Sequence, residues 1–99
     1  MTPSVLIVDD DEELREVVRI FFKRMDYAVH AAADAESAKK WLHSNCPDLI
    51  LLDIMMPDGN GLDLCRWIRS QVKFREVPVL VASAIEDEET VQDALEIGA

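Results

Sequence analysis

Positive charge is scarce in this chain. Ten Lys and Arg stand against twenty Asp and Glu, giving a formal net charge of −10. A nucleic-acid surface needs a basic footprint, so no direct nucleic-acid contact by this segment is expected. Cysteine is scarce as well. Cys46 and Cys65 have neither metal-ligand spacing nor a disulfide framework, and both read as reduced packing residues. Long apolar runs are missing, since none approaches the roughly 20 residues of a membrane helix. No basic region precedes the first apolar run, so no signal peptide is visible. The expected location is therefore cytoplasmic, with no membrane partner. Repeats, low-complexity stretches and long linkers are also lacking. Without them, 99 residues read as one domain, 1–99, and a hydrophobic content of 49% is ample for one core.

What is present alternates between two kinds of pattern. Val5-Leu6-Ile7-Val8 is a short β-branched run that reads as a buried first strand. Leu14, Val17, Val18, Phe21 and Met25 then fall on one helical stripe, widened by Ile20 and Phe22. Tyr27–Ala31 reads as a weaker second strand, with His30 on one of its faces. Asp34 is placed to cap a second helix, Ala35–Asn45, which turns Ala38, Trp41 and Leu42 inward and stops at Cys46-Pro47.

Leu49–Leu52 is the third strand. It is apolar without a break, as a strand covered on both faces should be. A third helix, about Asn60–Gln71, carries Leu64, Cys65 and Ile68 inward and leaves Trp67 off that stripe. Val77–Ala82 is the fourth strand, with Pro78 at its start, where a missing N–H matters least. A last helix is expected over about Asp87–Ile97, with Gly98 as its C-cap. Strict β-α alternation predicts an α/β fold of three layers, α/β/α, around a doubly wound parallel sheet.

Three of these strands end in polar groups. The first runs into Asp9-Asp10, the third into Asp53 and the fourth into Ser83. In a parallel sheet those ends share one rim, which is where ligands of such folds bind. An Asp after a strand also commonly does no more than cap the next helix. The acidic runs Asp9–Glu13 and Glu86–Glu89 equally suit solvated helix starts. Carboxylates converging on one rim repel one another unless a cation lies between them, and a hard divalent ion such as Mg²⁺ answers that need. A carboxylate beside Mg²⁺ can attack a phosphoryl group, and a nearby hydroxyl can hydrogen-bond the group once transferred.

The motifs VLIVDDD, LILLDIMMPDGNG, PVLVASA and ALEIGA together resemble a response-regulator receiver domain of two-component signalling, over Val5 to Ala99. The resemblance implies a flavodoxin-like fold with strand order 2-1-3-4-5. It implies that Asp53 is the phosphoacceptor for a histidine kinase or phosphotransfer protein, and that Ser83 is the switch hydroxyl. It further implies that Mg²⁺ is held by Asp10, Asp53 and the backbone carbonyl of Met55, with Asp9 acting through water. An output domain or target protein would read the switched surface.

Receivers continue past the equivalent of Gly98-Ala99 into a fifth strand and helix, which supply a switch aromatic and a lysine. Neither position occurs here, and Lys23, Lys39, Lys40 and Lys73 stand on the wrong elements to replace that lysine. The chain thus reads as a receiver of strand order 2-1-3-4, cut before its fifth unit. Self-association through an exposed fourth-strand edge is expected of it.

Two other readings stay open on the residues alone. One is a Mg²⁺-dependent phosphohydrolase of the haloacid-dehalogenase type, for which Asp9-x-Asp11 fits the first motif, although Glu12 and Glu13 follow it. The other is an interaction fragment that keeps the fold but does not switch.

Overall fold

The computed structural model describes residues 2–53 and 61–81, the last of these by its backbone. In chain order it contains β1 (Ser4–Val8), α1 (Glu12–Arg24), β2 (Ala28–Ala32), α2 (Ala35–Leu42), β3 (Leu49–Leu52), α3 (Gly61–Ser70) and β4 (Val79–Val81). A 3-10 turn over Val72–Phe74 joins α3 to β4. All strand pairs are parallel, in the order β2-β1-β3-β4. That order is the first four strands of the flavodoxin-like doubly wound fold. The expected helix over Asp87–Ile97 lies outside the described residues.

Period-two alternation sorts the strand residues between two faces. Leu6, Val8, Ile50, Leu52, Val79 and Ala32 join Ala35, Ala38 and Leu42 of α2 and Leu64, Cys65 and Ile68 of α3 in one buried cluster. Phe74 and Val77, from the α3–β4 connection, complete it. Burying a side chain such as Leu6 or Leu64 completely contributes about 1.5–3 kcal/mol. The cluster contains no residue of α1, which packs instead on β1 and β2. Helices thus cover both faces, as strict alternation predicts.

The α1 stripe is only half used. Val18 and Phe22 are half-buried, while Leu14, Val17, Ile20, Phe21 and Met25 are exposed, and no residue of the helix is fully buried. An apolar stripe this wide exceeds what one sheet face covers, so its outer side remains open among the described residues. The same face of the sheet carries Leu51, half-buried, and its register partner Leu80, which is exposed; Ile50 points the other way.

Helix ends follow local chemistry. Asp11 caps α1 by accepting from the Leu14 N–H at 3.2 Å, and Asp34 caps α2 by accepting from the Ser37 N–H at 2.7 Å. After α1 the chain turns through Asp26 at φ 64°, a left-handed conformation that Asp tolerates better than most residues. The second helix stops at Leu42 rather than Asn45, and side chains cap its last carbonyls. Asn45 Nδ2 donates to Trp41 O at 2.8 Å, and Lys73 Nζ donates to Leu42 O at 2.8 Å.

Arg69 gathers the α3–β4 connection. Its guanidinium donates to the carbonyls of Phe74 at 3.1 Å, Arg75 at 3.3 Å and Val77 at 2.6 Å. Val77 thus lies in the connection, and β4 begins at Val79 rather than at the expected Val77, while Ala82 lies outside the described residues. The Pro78 carbonyl still accepts from the Ile50 N–H at 3.0 Å.

His30 is a packing residue, stacked on Trp41 with ring centroids 4.7 Å apart, and burial pushes its titration below the usual histidine value. Trp67 is half-buried, as its place off the inner stripe implies. Both cysteines are free; Cys65 is buried among α3's neighbours, but Cys46 is exposed and does not pack the core.

Candidate functional site

The last rungs of the sheet build the site. Val8 pairs in register with Leu52, and the next amide, Asp53 N–H, donates to the Val8 carbonyl at 2.9 Å. On the other side of β1, Asp9 N–H donates to the Ala32 carbonyl at 3.1 Å. Adjacent strands lie about 4.8 Å apart. Backbone pairing alone therefore sets Asp9 and Asp53 side by side where β1 and β3 leave the core. Asp10 follows Asp9, is exposed, and reaches the same place. One carboxylate oxygen from each of Asp9, Asp10 and Asp53 lies within 4.8 Å of the others.

The three carboxyl groups differ in surroundings. Asp9 is 4% exposed, Asp53 is half-buried and Asp10 is open to solvent. Burial pushes the Asp9 carboxyl above its ordinary value. A hydrogen bond from the Asp11 N–H, at 2.9 Å, works in the opposite direction. The Asp53 charge, a side-chain hydrogen bond to Asp53 and the Asp10 charge add to the rise. This is the signature of like charges held together and partly desolvated, a condition a cation would relieve. The donors are all hard oxygens, the set that suits Mg²⁺ or Ca²⁺ rather than a thiophilic metal. By donor chemistry and spacing the residues fit a divalent ion.

The rest of the acidic run is used differently. Asp11 turns its carboxylate to the helix N-terminus, and Glu12 and Glu13 lie exposed in the first turn of α1. The structure thus brings together Asp9 and Asp10, not the Asp9-x-Asp11 pair of the phosphohydrolase reading. Met55 and Ser83 lie outside the described residues. Among the described residues this is the one group of three or more metal-ligating side chains. No described helix is long and apolar enough to cross a membrane.

Arg15 was not singled out from the sequence. Its Nη1 donates to the Asp9 carbonyl at 2.7 Å. A signal was available, because a cation in the opening turns of a helix opposes the helix dipole and so calls for a local reason.

The family model described as the response regulator receiver domain matches residues 5–99 of the chain. The chain belongs to that family. This receiver is 35% identical to the transcriptional regulatory protein GltR of Pseudomonas aeruginosa over 96 residues, 97% of this chain and 40% of that protein. It is also 35% identical to the transcriptional regulatory protein AfsQ1 of Streptomyces coelicolor over 97 residues, 98% of this chain and 42% of that protein. Its fold matches the chemotaxis response regulator CheY4 of Vibrio cholerae with a TM-score of 0.91 at 27% identity, covering 100% of this chain and 82% of that one. The receiver therefore spans about two-fifths of the length of these two curated relatives. Response regulators are signalling proteins of two-component systems, which act with histidine kinases and output domains.

Proposed function

We propose that this receiver accepts a phosphoryl group on Asp53 from a histidine kinase or a phosphotransfer protein, and signals the change to an output domain or target protein. The observation that carries the reading is the convergence of Asp9, Asp10 and Asp53 within 4.8 Å at the carboxyl ends of β1 and β3. Asp9, Asp10 and Asp53 would hold Mg²⁺, with the Met55 backbone carbonyl as a further ligand. The ion supplies charge neutralisation for the oxygens of a transferring phosphoryl group.

The chain's own groups do the rest. The Asp53 amide is fixed on Val8, so its carboxylate is presented at the rim rather than swept by a mobile loop. One carboxylate oxygen attacks phosphorus. The bond from phosphorus to the donor's imidazole nitrogen breaks, and that nitrogen leaves with the electron pair. Asp53 becomes an acyl phosphate. The Ser83 hydroxyl then hydrogen-bonds the new group and couples it to the surface.

In this reading residues 1–99 all belong to a single receiver domain, and its location is cytoplasmic. The net charge of −10 supports the absence of direct nucleic-acid contact by this segment. The phosphohydrolase alternative is disfavoured because Asp11 is engaged as the α1 cap.

Incubation of the natural full-length protein with a small phosphodonor and Mg²⁺ tests the reading. The expected product carries its label on Asp53 and loses it in Asp53→Asn. Label on Asp9 instead would establish the phosphohydrolase reading. Metal binding without any labelling would leave the interaction fragment.

A further inference from the structure

The turn between β1 and α1 carries two of the three carboxylates, and it is held at three points. Asp9 Oδ1 accepts from the Asp11 N–H at 2.9 Å, and Asp11 Oδ1 accepts from the Leu14 N–H at 3.2 Å. The third point is the Asp9 main-chain carbonyl, which accepts from Arg15 Nη1 at 2.7 Å in a partly buried contact. We propose that Arg15 is a positioning residue for the cation site, acting through the Asp9–Asp10 peptide. The proposal rests on the Mg²⁺ reading above.

A peptide unit is planar, so fixing its oxygen also fixes the direction in which the next Cα leaves. The Asp9 carbonyl belongs to the peptide that carries Asp10. Asp10 is the most exposed of the three carboxyl residues and sits in a turn rather than a strand. Asp9 and Asp53 are set by the sheet's last rungs, whereas Asp10 is aimed by this one peptide plane. Arg15 reaches it from one helical turn away, anchored by its own N–H to the Asp11 carbonyl at 2.9 Å. A guanidinium suits the task because its donors are fixed in a plane; the rotating ammonium of lysine fixes direction less well.

Charge and position predict opposite outcomes here. If Arg15 acted only as a nearby positive charge, removing it would tighten Mg²⁺ binding, because one like charge would be gone. If it positions the Asp10 carboxylate, removing it loosens binding. Groups that orient metal ligands typically change affinity by about 10–100-fold when lost.

The test is calorimetric titration of Mg²⁺ into the natural full-length chain and its Arg15→Met and Arg15→Lys variants, with circular dichroism to confirm folding. Arg15→Met is expected to weaken Mg²⁺ binding about tenfold. Arg15→Lys is expected to recover part of that loss. The Mg²⁺ concentration giving half-maximal labelling of Asp53 should rise by the same factor. Unchanged or tighter binding in a folded Arg15→Met protein would overturn the proposal. If Arg15→Met does not fold, Arg15→Lys decides: affinity equal to that of the unsubstituted protein overturns the proposal. Failure of the unsubstituted protein to bind Mg²⁺ would instead overturn the metal reading, and this inference with it.

Discussion

Replacing Asp9 by Asn should stabilise the metal-free protein at neutral pH while removing its response to Mg²⁺. One carboxylate oxygen from each of Asp9, Asp10 and Asp53 lies within 4.8 Å of the others. At about that separation, and an effective dielectric near 20, two full charges repel by about 3 kcal/mol. Asp10 is open to water, so its share is screened. A net gain of about 1–3 kcal/mol is therefore expected from neutralising Asp9. In a domain of this size each kcal/mol moves the unfolding midpoint by about 4–8 °C. Asn retains an oxygen to accept from the Asp11 N–H, so the turn keeps its bond.

The pH dependence fixes the sign. The folded-state Asp9 carboxyl is raised above its ordinary value, first by burial. Its contribution to stability is fully present below the unfolded value, near pH 4, and is lost as pH climbs through the raised folded value. The advantage of Asp9→Asn should thus be large at neutral pH and vanish near pH 4. Thermal unfolding with a chelator and with roughly 10 mM Mg²⁺ reads both effects, since a ligand of the native state alone adds stability. A metal-free Asp9→Asn protein less stable than its parent at neutral pH would refute the electrostatic reasoning. So would an undiminished Mg²⁺ response in the variant.

Other outcomes follow from the connections around the sheet. Arg69→Met removes bonds to the carbonyls of Phe74, Arg75 and Val77, and should destabilise by about 2–3 kcal/mol, read as a drop in the denaturation midpoint; an unchanged midpoint would mean water replaces the guanidinium. Lys73→Met frees the last carbonyls of α2 at a more exposed place, so its loss should be nearer 1 kcal/mol in the same assay. Expressed as these 99 residues, the polypeptide presents Val17, Phe21 and Met25 on α1 and Leu80 on β4 to solvent, and should self-associate in sedimentation experiments. A monodisperse 11.2 kDa species would contradict that expectation.

Much of this architecture was legible because its signals are local. Unbroken apolar runs at Val5–Val8 and Leu49–Leu52 suited strands covered on both faces, and alternation with helical stripes predicted parallel order. The convergence of Asp9, Asp10 and Asp53 was legible for the same reason: Asp9 and Asp53 directly follow strands, Asp10 is the next residue after Asp9, and parallel strands share a rim. Asp34 read correctly as a cap because its chemistry acts three residues away. Long-range hydrogen bonds left no such trace. Nothing in the sequence around Lys73 indicates that it would cap the last carbonyl of a helix 31 residues earlier. Nor does periodicity reveal which half of a wide stripe meets the sheet, so α1's exposed side had to be observed. The 3-10 turn over Val72–Phe74 is too short to give a period at all, though it places Phe74 in the core.

The amides of Asp9 and Asp53 are the closing rungs of two ladders, one on Ala32 and one on Val8. Ladders open first at their ends, and local opening is less costly than global unfolding. Fraying of this end of the sheet and dispersal of the three carboxylates are consequently a single event. Repulsion among the carboxylates pries at those rungs, and whatever neutralises them closes the rungs again. The site is thus a clasp on the sheet as well as a place on its surface. Neutralisation of the site and the integrity of the carboxyl end of the β1–β3 pair share one equilibrium.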